Sequence, residues 1–200
     1  MIAVKRQEQK VQTRQKILDT AFRLYSSGGF SVPTNRIARE AGVSHGAVFV
    51  HFSTRETLQL EVLERFTEEM GNKLHDLSKK GAGIRELLYT HIGILEEYES
   101  FYKNLISEIS MLPEGTKTML LTLQSMTSYH FDAVIGRERR RGTVKDIPLH
   151  MLFNTWIALL HYYLQNSELF APGKSVLRRR KDELINTYIS LISVKGVRRR

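Results

Sequence analysis

The stretch from Thr34 to Phe52, TNRIAREAGVSHGAVFVHF, constrains this chain more than any other. It reads as two short helices joined by a tight turn. Thr34 is placed to be an N-cap, its hydroxyl accepting from an orphan N–H of the first turn. Ile37, Ala38 and Ala41 recur at helical spacing, with Asn35, Arg36, Arg39 and Glu40 on the other side. Gly42 then stands where helices often end in a left-handed residue, which costs glycine nothing. Val43 can plug the gap between the helices, and Ser44 caps the second. Val48 and Phe52, four apart, share its inward face. His45, Gly46, Phe49 and Val50 point away, with Ala47 and His51 at the edge. A short helix whose outward face begins on a small, bare turn suits close entry into a DNA major groove.

The flanks supply a third helix and a long connector. A helix from about Thr13 to Ser27 carries Ile17, Leu18, Ala21, Phe22, Leu24 and Tyr25, and ends at Gly28-Gly29. Phe30 returns to the core, and Pro33 restricts Val32 to extended conformations. These helices would gather around Phe22, Phe30, Ile37, Ala41, Val48 and Phe52. Residues 1–11 are polar and basic and read as a frayed arm, or as one that adds contacts to DNA phosphates or the minor groove. A fourth helix is expected from an N-cap at Thr54 to about Ser78, with Glu56 in its first turn, where the dipole favours it. Its stripe is Leu58, Val62, Leu63, Phe66, Met70, Leu74 and Leu77. Lys79-Lys80-Gly81-Ala82-Gly83 is the clearest break. Further helices are expected over about 84–99, 101–111, 114–140, 147–167 and 175–194. No strand alternation and no repeat occurs, so the fold class is all-α. The charge runs 137–141 and 178–181 read as solvated helix faces or C-terminal turns, and the Arg198–Arg200 tail as disordered or as an electrostatic supplement to DNA affinity.

Around the central stretch the chain resembles the TetR (tetracycline-repressor-like) family of transcriptional regulators. The resemblance rests on Arg14, Ile17-Leu18, Ala21-Phe22, Leu24, Gly29-Phe30, Thr34, Ile37-Ala38, Ala41-Gly42-Val43-Ser44, Gly46, Val48, His51-Phe52, Arg55-Glu56 and Leu58, in fixed order over roughly residues 13–60. One position departs: the family usually has Tyr, whose hydroxyl often meets a phosphate, where this chain has Phe49. The first position of the next helix is often Lys and here is Arg55, which keeps the charge. The resemblance implies a helix-turn-helix DNA-binding domain over residues 1–53, with its reading helix at about 44–52. A helical regulatory, ligand-binding and dimerisation domain would follow over 54–200, with the helix at about 54–78 as connector.

Charge and composition agree with an anionic partner. The formal charge is +9, and residues 1–60 hold nine Lys/Arg against four acids, a higher net charge density than the average of the remaining 140 residues. The chain has no cysteine, hence no disulfide and no thiol nucleophile, which fits a reducing cytoplasm. The N-terminus does not read as a secretory signal, and the apolar run Trp156–Leu164 is interrupted by His161 and too short to span a bilayer. Seven histidines are scattered without metal-site spacing. No Gly-x-Ser-x-Gly, phosphate-cradling loop or dinucleotide fingerprint occurs, so neither an enzyme nor a cofactor or metal is expected.

Within the motif the DNA contacts divide by chemistry. Thr34, Ser44, His51 and Arg55 would hold phosphates, while His45, Ala47 and Val50 face base edges and Gly46 allows close approach. Phe49 belongs to the same face. Ala47 and Val50 offer only apolar contact, for instance to a thymine methyl, so DNA shape would carry much of the specificity. The helices at 147–167 and 175–194 are apolar over so wide an arc that they must be buried on more than one side, in an internal core or in a symmetric four-helix interface. The resemblance implies the second, a homodimer on a palindromic operator. It also implies an inducer cavity among the middle helices, for which His91, Met126, Tyr129 and Trp156 are the candidates. The expectation is thus a cytoplasmic homodimeric repressor of double-stranded DNA, released by a small-molecule effector. The alternative is a basic helical module that binds a protein or a membrane without specific DNA recognition.

Overall fold

A computed structural model describes residues 2–79 and 81–194, with side chains over 5–75 and 81–194. Among them, ten α-helices follow one another: α1 (Ile2–Gly28), α2 (Thr34–Ala41), α3 (His45–His51), α4 (Arg55–Lys79), α5 (Ile84–Glu97), α6 (Glu99–Glu108), α7 (Glu114–Arg140), α8 (Leu149–Gln165), α9 (Ser167–Phe170) and α10 (Val176–Ile192). A 3-10 turn over Ile109–Met111 follows α6. The one strand-like feature among the described residues is an isolated bridge between Val144 and Ser193. Lys80 of the expected break, the Leu77 side chain and the 198–200 tail lie outside the described residues.

The chain divides into two units, Met1–Thr67 with Ser100–Leu120, and Glu68–Glu99 with Leu121–Arg200. In the first, α1 packs on α2 and α2 on α3. The expected stripes are its core: Ile17, Ala21, Leu24, Phe30, Ile37, Ala41, Val48, Phe52 and Leu58 are all essentially excluded from solvent. Each large side chain among them contributes roughly 1.5–3 kcal/mol by leaving water. Phe101 of α6 completes this core, stacked on Phe22 at 4.8 Å between ring centroids and edge-on to Phe66 at 5.2 Å.

Polar bonds fix α6 to the end of α1. Asn104 Nδ2 donates to the carbonyls of Tyr25 and Ser26 in the last turn of α1 at 2.8 and 3.0 Å, the first of which also accepts from the Gly29 N–H. The Phe30 N–H donates to Glu108 Oε2 at 3.0 Å. The Phe30 carbonyl accepts from Gln59 Nε2 at 3.1 Å and from the Arg55 guanidinium. Phe30 is thus held through its N–H by α6 and through its carbonyl by α4. Gly29, at φ 75°, makes room for this, because a Cβ there would fall inside the Glu108 carboxylate.

In the second unit α10 packs against α5 and α8. Trp156 and Tyr188 meet at its centre with ring centroids 5.0 Å apart, and the Tyr188 hydroxyl donates to the Leu152 carbonyl at 2.7 Å. Leu152, Phe153, Trp156, Leu160 and Leu164 of α8 face Leu177, Leu184, Ile185, Tyr188, Ile189 and Ile192 of α10 within this unit's own core. The wide apolar arcs therefore have an internal partner. What α8 leaves open is a different row: Met151, Thr155, Ala158 and Tyr162. Glu99 receives the Ser175 hydroxyl and the Val176 N–H at the start of α10, at 2.5 and 2.9 Å. Glu96 pairs with Arg178 and Lys181 at 2.5 and 2.8 Å, so the 178–181 run is partly tied down rather than wholly solvated.

Two local expectations need correction. Residues 2–11 are helix, not a frayed arm: α1 begins at Ile2. The segment contains neither Gly nor Pro, and Lys, Arg, Gln and Glu are good helix formers. Thr34 is the first residue of α2 and not its cap. Pro33 holds the cap position at φ −75° and ψ 147°, and its carbonyl accepts from Arg36 and Ile37.

Candidate nucleic-acid interface

The two-helix turn is built as its residues require. The Gly42 N–H donates to Arg39 O and the Val43 N–H to Ala38 O, which closes α2 with Gly42 left-handed at φ 65°. The Ser44 hydroxyl then accepts from the Ala47 N–H at 3.1 Å and opens α3. Val48 and Phe52 anchor α3 inward. His45, Gly46, Phe49 and Val50 face solvent, Val50 with 74% of its surface and Phe49 with 42%. A Cβ at Gly46 would meet nothing within 4 Å, so this end of the helix is bare. Ala47 is half-buried at the edge. An exposed, mostly apolar face on a helix held from behind by two buried anchors presents few hydrogen-bonding groups and much shape.

Thr34 and His45 are joined, which the sequence did not indicate. Thr34 Oγ1 and His45 Nε2 lie 3.0 Å apart, one donating to the other according to the imidazole tautomer. Freed from capping by Pro33, the Thr34 hydroxyl can turn to α3. The His45 ring also meets Phe49 edge-on at 5.1 Å. The histidine is thereby fixed between two neighbours, and Nδ1 is the ring nitrogen left for a base or a phosphate. Phe49 supports this ring where a tyrosine would have carried a hydroxyl.

His51 closes α3 half-buried, and its Nδ1 is buried without a partner. Burial first, then the charges of Lys10 and Arg14, hold its imidazole below the usual histidine range. This favours the neutral ring in the free chain, which can still offer a phosphate an N–H. Arg14 lies with its guanidinium carbon 4.8 Å above the centroid of the Phe52 ring, and it pairs with Glu61. Arg55 stands exposed at the start of α4, but its guanidinium spends one donor on the Phe30 carbonyl. Its remaining N–H groups keep it available to a phosphate. The Thr54 hydroxyl accepts from the Thr57 N–H at 3.0 Å, the cap expected for α4.

Of the four effector-site candidates, two come together. Trp156 Nε1 donates to His91 Nδ1 at 2.9 Å, both side chains buried. Burial, reinforced by the neighbouring His161, pushes the His91 pKa down to about 4. Met126 and Tyr129 stand instead on the exposed side of α7, at 38% and 72% of their surface. Helical phase separates them from the inward residues Leu123, Thr127, His130 and Phe131. Among the described residues no group of three or more His, Asp or Glu could hold a metal ion, and no helix is long and apolar enough to cross a membrane.

Comparison with known proteins agrees with this geometry. Residues 17–62, which span the last 12 residues of α1 through the first turns of α4, match the family of bacterial regulatory proteins described as tetR. The HTH-type transcriptional regulator YerO of Bacillus subtilis, itself uncharacterized, is 30% identical over 192 residues, 92% of this chain and 57% of that protein. The HTH-type transcriptional regulator AcrR of Shigella flexneri is 34% identical over 93 residues, 44% of this chain and 43% of that one. The chain spans about half the length of these curated relatives. A solved transcriptional regulator from Saccharomonospora viridis, in complex with choline, superposes with a TM-score of 0.77 at 20% identity, covering 92% of this chain and 100% of that one. At that identity the likeness speaks for the fold.

Proposed function

We propose that the chain is a member of the tetR family of bacterial regulatory proteins and a sequence-specific DNA-binding transcriptional regulator, a cytoplasmic homodimeric repressor whose operator binding a small-molecule effector relieves. One observation carries the reading: α3 is capped by Ser44, pinned by Val48 and Phe52, and presents His45, Gly46, Phe49 and Val50 to solvent as a bare face. Such a face has no use in the chain's own core and has the size and relief of a major-groove reader.

In this reading Ser44, His51 and Arg55 set the register on phosphates. His45 Nδ1, Ala47, Phe49 and Val50 meet base edges, and Thr34 orients His45 rather than binding DNA itself. The dimer forms through the open faces of α8 and α10, so that two α3 helices address a palindrome. The effector binds in the second unit. His91 and Trp156 mark its polar spot, in keeping with the choline-bound relative, whose ligand is its own. Helix α4, continuous from Arg55 to Lys79, begins in one unit and ends in the other and is the natural carrier of the signal.

The test is fluorescence anisotropy on duplexes tiling the DNA beside the protein's own gene, at two salt concentrations, against a scrambled duplex. Tight binding to one tile, at two protomers per duplex or a multiple, supports the reading. Equal binding to every tile that collapses with salt would leave only non-specific attraction and overturn it.

A further inference from the structure

The α1 helix begins at Ile2, eleven residues before the expected start at Thr13, and its extra turns carry Lys5, Arg6 and Lys10, the last two on one side. At 100° per residue, Arg6, Lys10 and Arg14 fall in a single row at i, i+4 and i+8. Glu8, the one acid among residues 1–18, lies about 160–200° around the helix from Arg6 and Lys10. Arg14 fixes where the row starts, because its guanidinium lies over Phe52, the residue that ends α3. From there each step of four residues rises about 6 Å, so Arg6 stands about 12 Å along the axis from Arg14. Residues 5–12 are exposed throughout, and among the described residues neither Arg6 nor Lys10 has an ion-pair partner. Lys10, one turn before Arg14 on the same row, contributes to holding the His51 imidazole below the usual histidine range.

We propose that the first turns of α1 form a second DNA-contact surface, a helical rail on which Arg6 and Lys10 hold backbone phosphates beside the half-site that α3 reads. This rests on the regulator reading above and adds to it a contact outside the reading head. DNA backbone is the fitting partner because the row is cationic, has no aromatic or apolar interleaving except Val11, and continues outward from the reading helix. A preformed helix gives up less conformational freedom on binding than a disordered arm would. Such contacts add affinity and footprint without sequence information.

The experiment measures the salt dependence of binding to a mixed-sequence duplex of roughly 30 base pairs and to its scrambled counterpart. It compares the full chain with Arg6→Ala/Lys10→Ala and with Glu8→Lys. Alanine keeps the helix, which circular dichroism checks. The slope of log K against log salt should fall by about 0.9 for each phosphate no longer neutralised, about 1.8 per protomer in the double variant, equally on both duplexes. Glu8→Lys, which adds charge on the opposite side, should leave the slope nearly unchanged. Equal slopes for wild type and double variant would overturn the rail while leaving the regulator reading intact. So would a Glu8→Lys slope raised as much as the double variant lowers it, since net charge alone would then be at work. A weakening confined to one duplex would point to base or minor-groove reading and overturn it too. Wild-type protein with no salt-dependent binding to any duplex would overturn both readings.

Discussion

His45 is the one residue on the reading face with a ring nitrogen to offer, and Thr34 and Phe49 hold it in place. His45→Ala should therefore cost roughly 1–3 kcal/mol on the operator and little on scrambled DNA. Competition binding between the two duplexes reads this directly, and an unchanged ratio would remove His45 from the readers. Tyr25 makes the opposite kind of prediction. Its ring stacks on Phe30 at 4.9 Å, but its hydroxyl is buried without a partner, and burial pushes its pKa up to about 12. An unpaired buried hydroxyl costs about 1–3 kcal/mol. Tyr25→Phe should thus leave stability unchanged or raise it, seen as an equal or higher urea midpoint. At this scale the sequence was legible wherever a residue acts through its neighbours in the chain. Gly42, Ser44, Val48 and Phe52 all do what their spacing implies. Thr34 and Tyr25 were not legible, because Pro33 took the cap from the first and the partner of the second would have to come from a distant segment.

Among the elements, α6 shows most clearly what periodicity cannot reveal. A pattern of apolar residues marks it as a helix, and its observed bounds, Glu99–Glu108, lie close to those expected. Nothing in the pattern says that Asn104 and Glu108 serve the end of α1, some 80 residues earlier, or that Phe101 enters a three-helix core. Those contacts depend on tertiary placement, which local spacing does not encode. They make a prediction for the element as a whole. Glu108→Ala leaves the Phe30 N–H without an acceptor and loosens the turn that leads into α2. It should destabilise the first unit by about 1–3 kcal/mol and weaken operator binding even though Glu108 is on neither α2 nor α3. Glu108→Gln retains an acceptor and should recover most of both. A denaturation curve with a parallel anisotropy titration decides the matter: equal losses in Ala and Gln would mean the charge, not the bond, is what counts.

For the molecule as a whole, the second unit bears on pH dependence and on the proposed self-association. His91 is buried, accepts from Trp156, and has its pKa lowered from 6.5 to about 4. The folded state thus binds fewer protons than the unfolded chain between those values. The stabilisation is complete above about pH 6.5 and drains away as pH falls toward 4, by about 3 kcal/mol at most. His161, also lowered by burial, acts in the same direction. His91→Asn, which retains an acceptor for Trp156, should flatten the acid side of a plot of melting temperature against pH. Self-association follows from what α8 keeps and what it exposes. Its largest apolar residues are consumed by its own core, so a dimer built on these helices must use the opposite row, Met151, Thr155, Ala158 and Tyr162, with Thr187 and Leu191 of α10. The wide apolar arcs were legible in the sequence but their partner was not, because hydrophobicity alone does not say whether a buried arc meets its own chain or a copy. Thr155 and Ala158 lie between Met151 and Tyr162 as small residues that let two helices approach closely. In a twofold interface each substitution is met by its own copy. Ala158→Arg would place two like charges and two long side chains across the axis while touching no core residue. Light scattering after size exclusion should show wild-type protein as a dimer and the variant as a folded monomer of unchanged circular dichroism. The monomer should lose operator affinity steeply, since one reading helix can engage only one half-site. A variant that stays dimeric would place the interface on another face, and a wild-type monomer would remove the palindrome from the reading altogether.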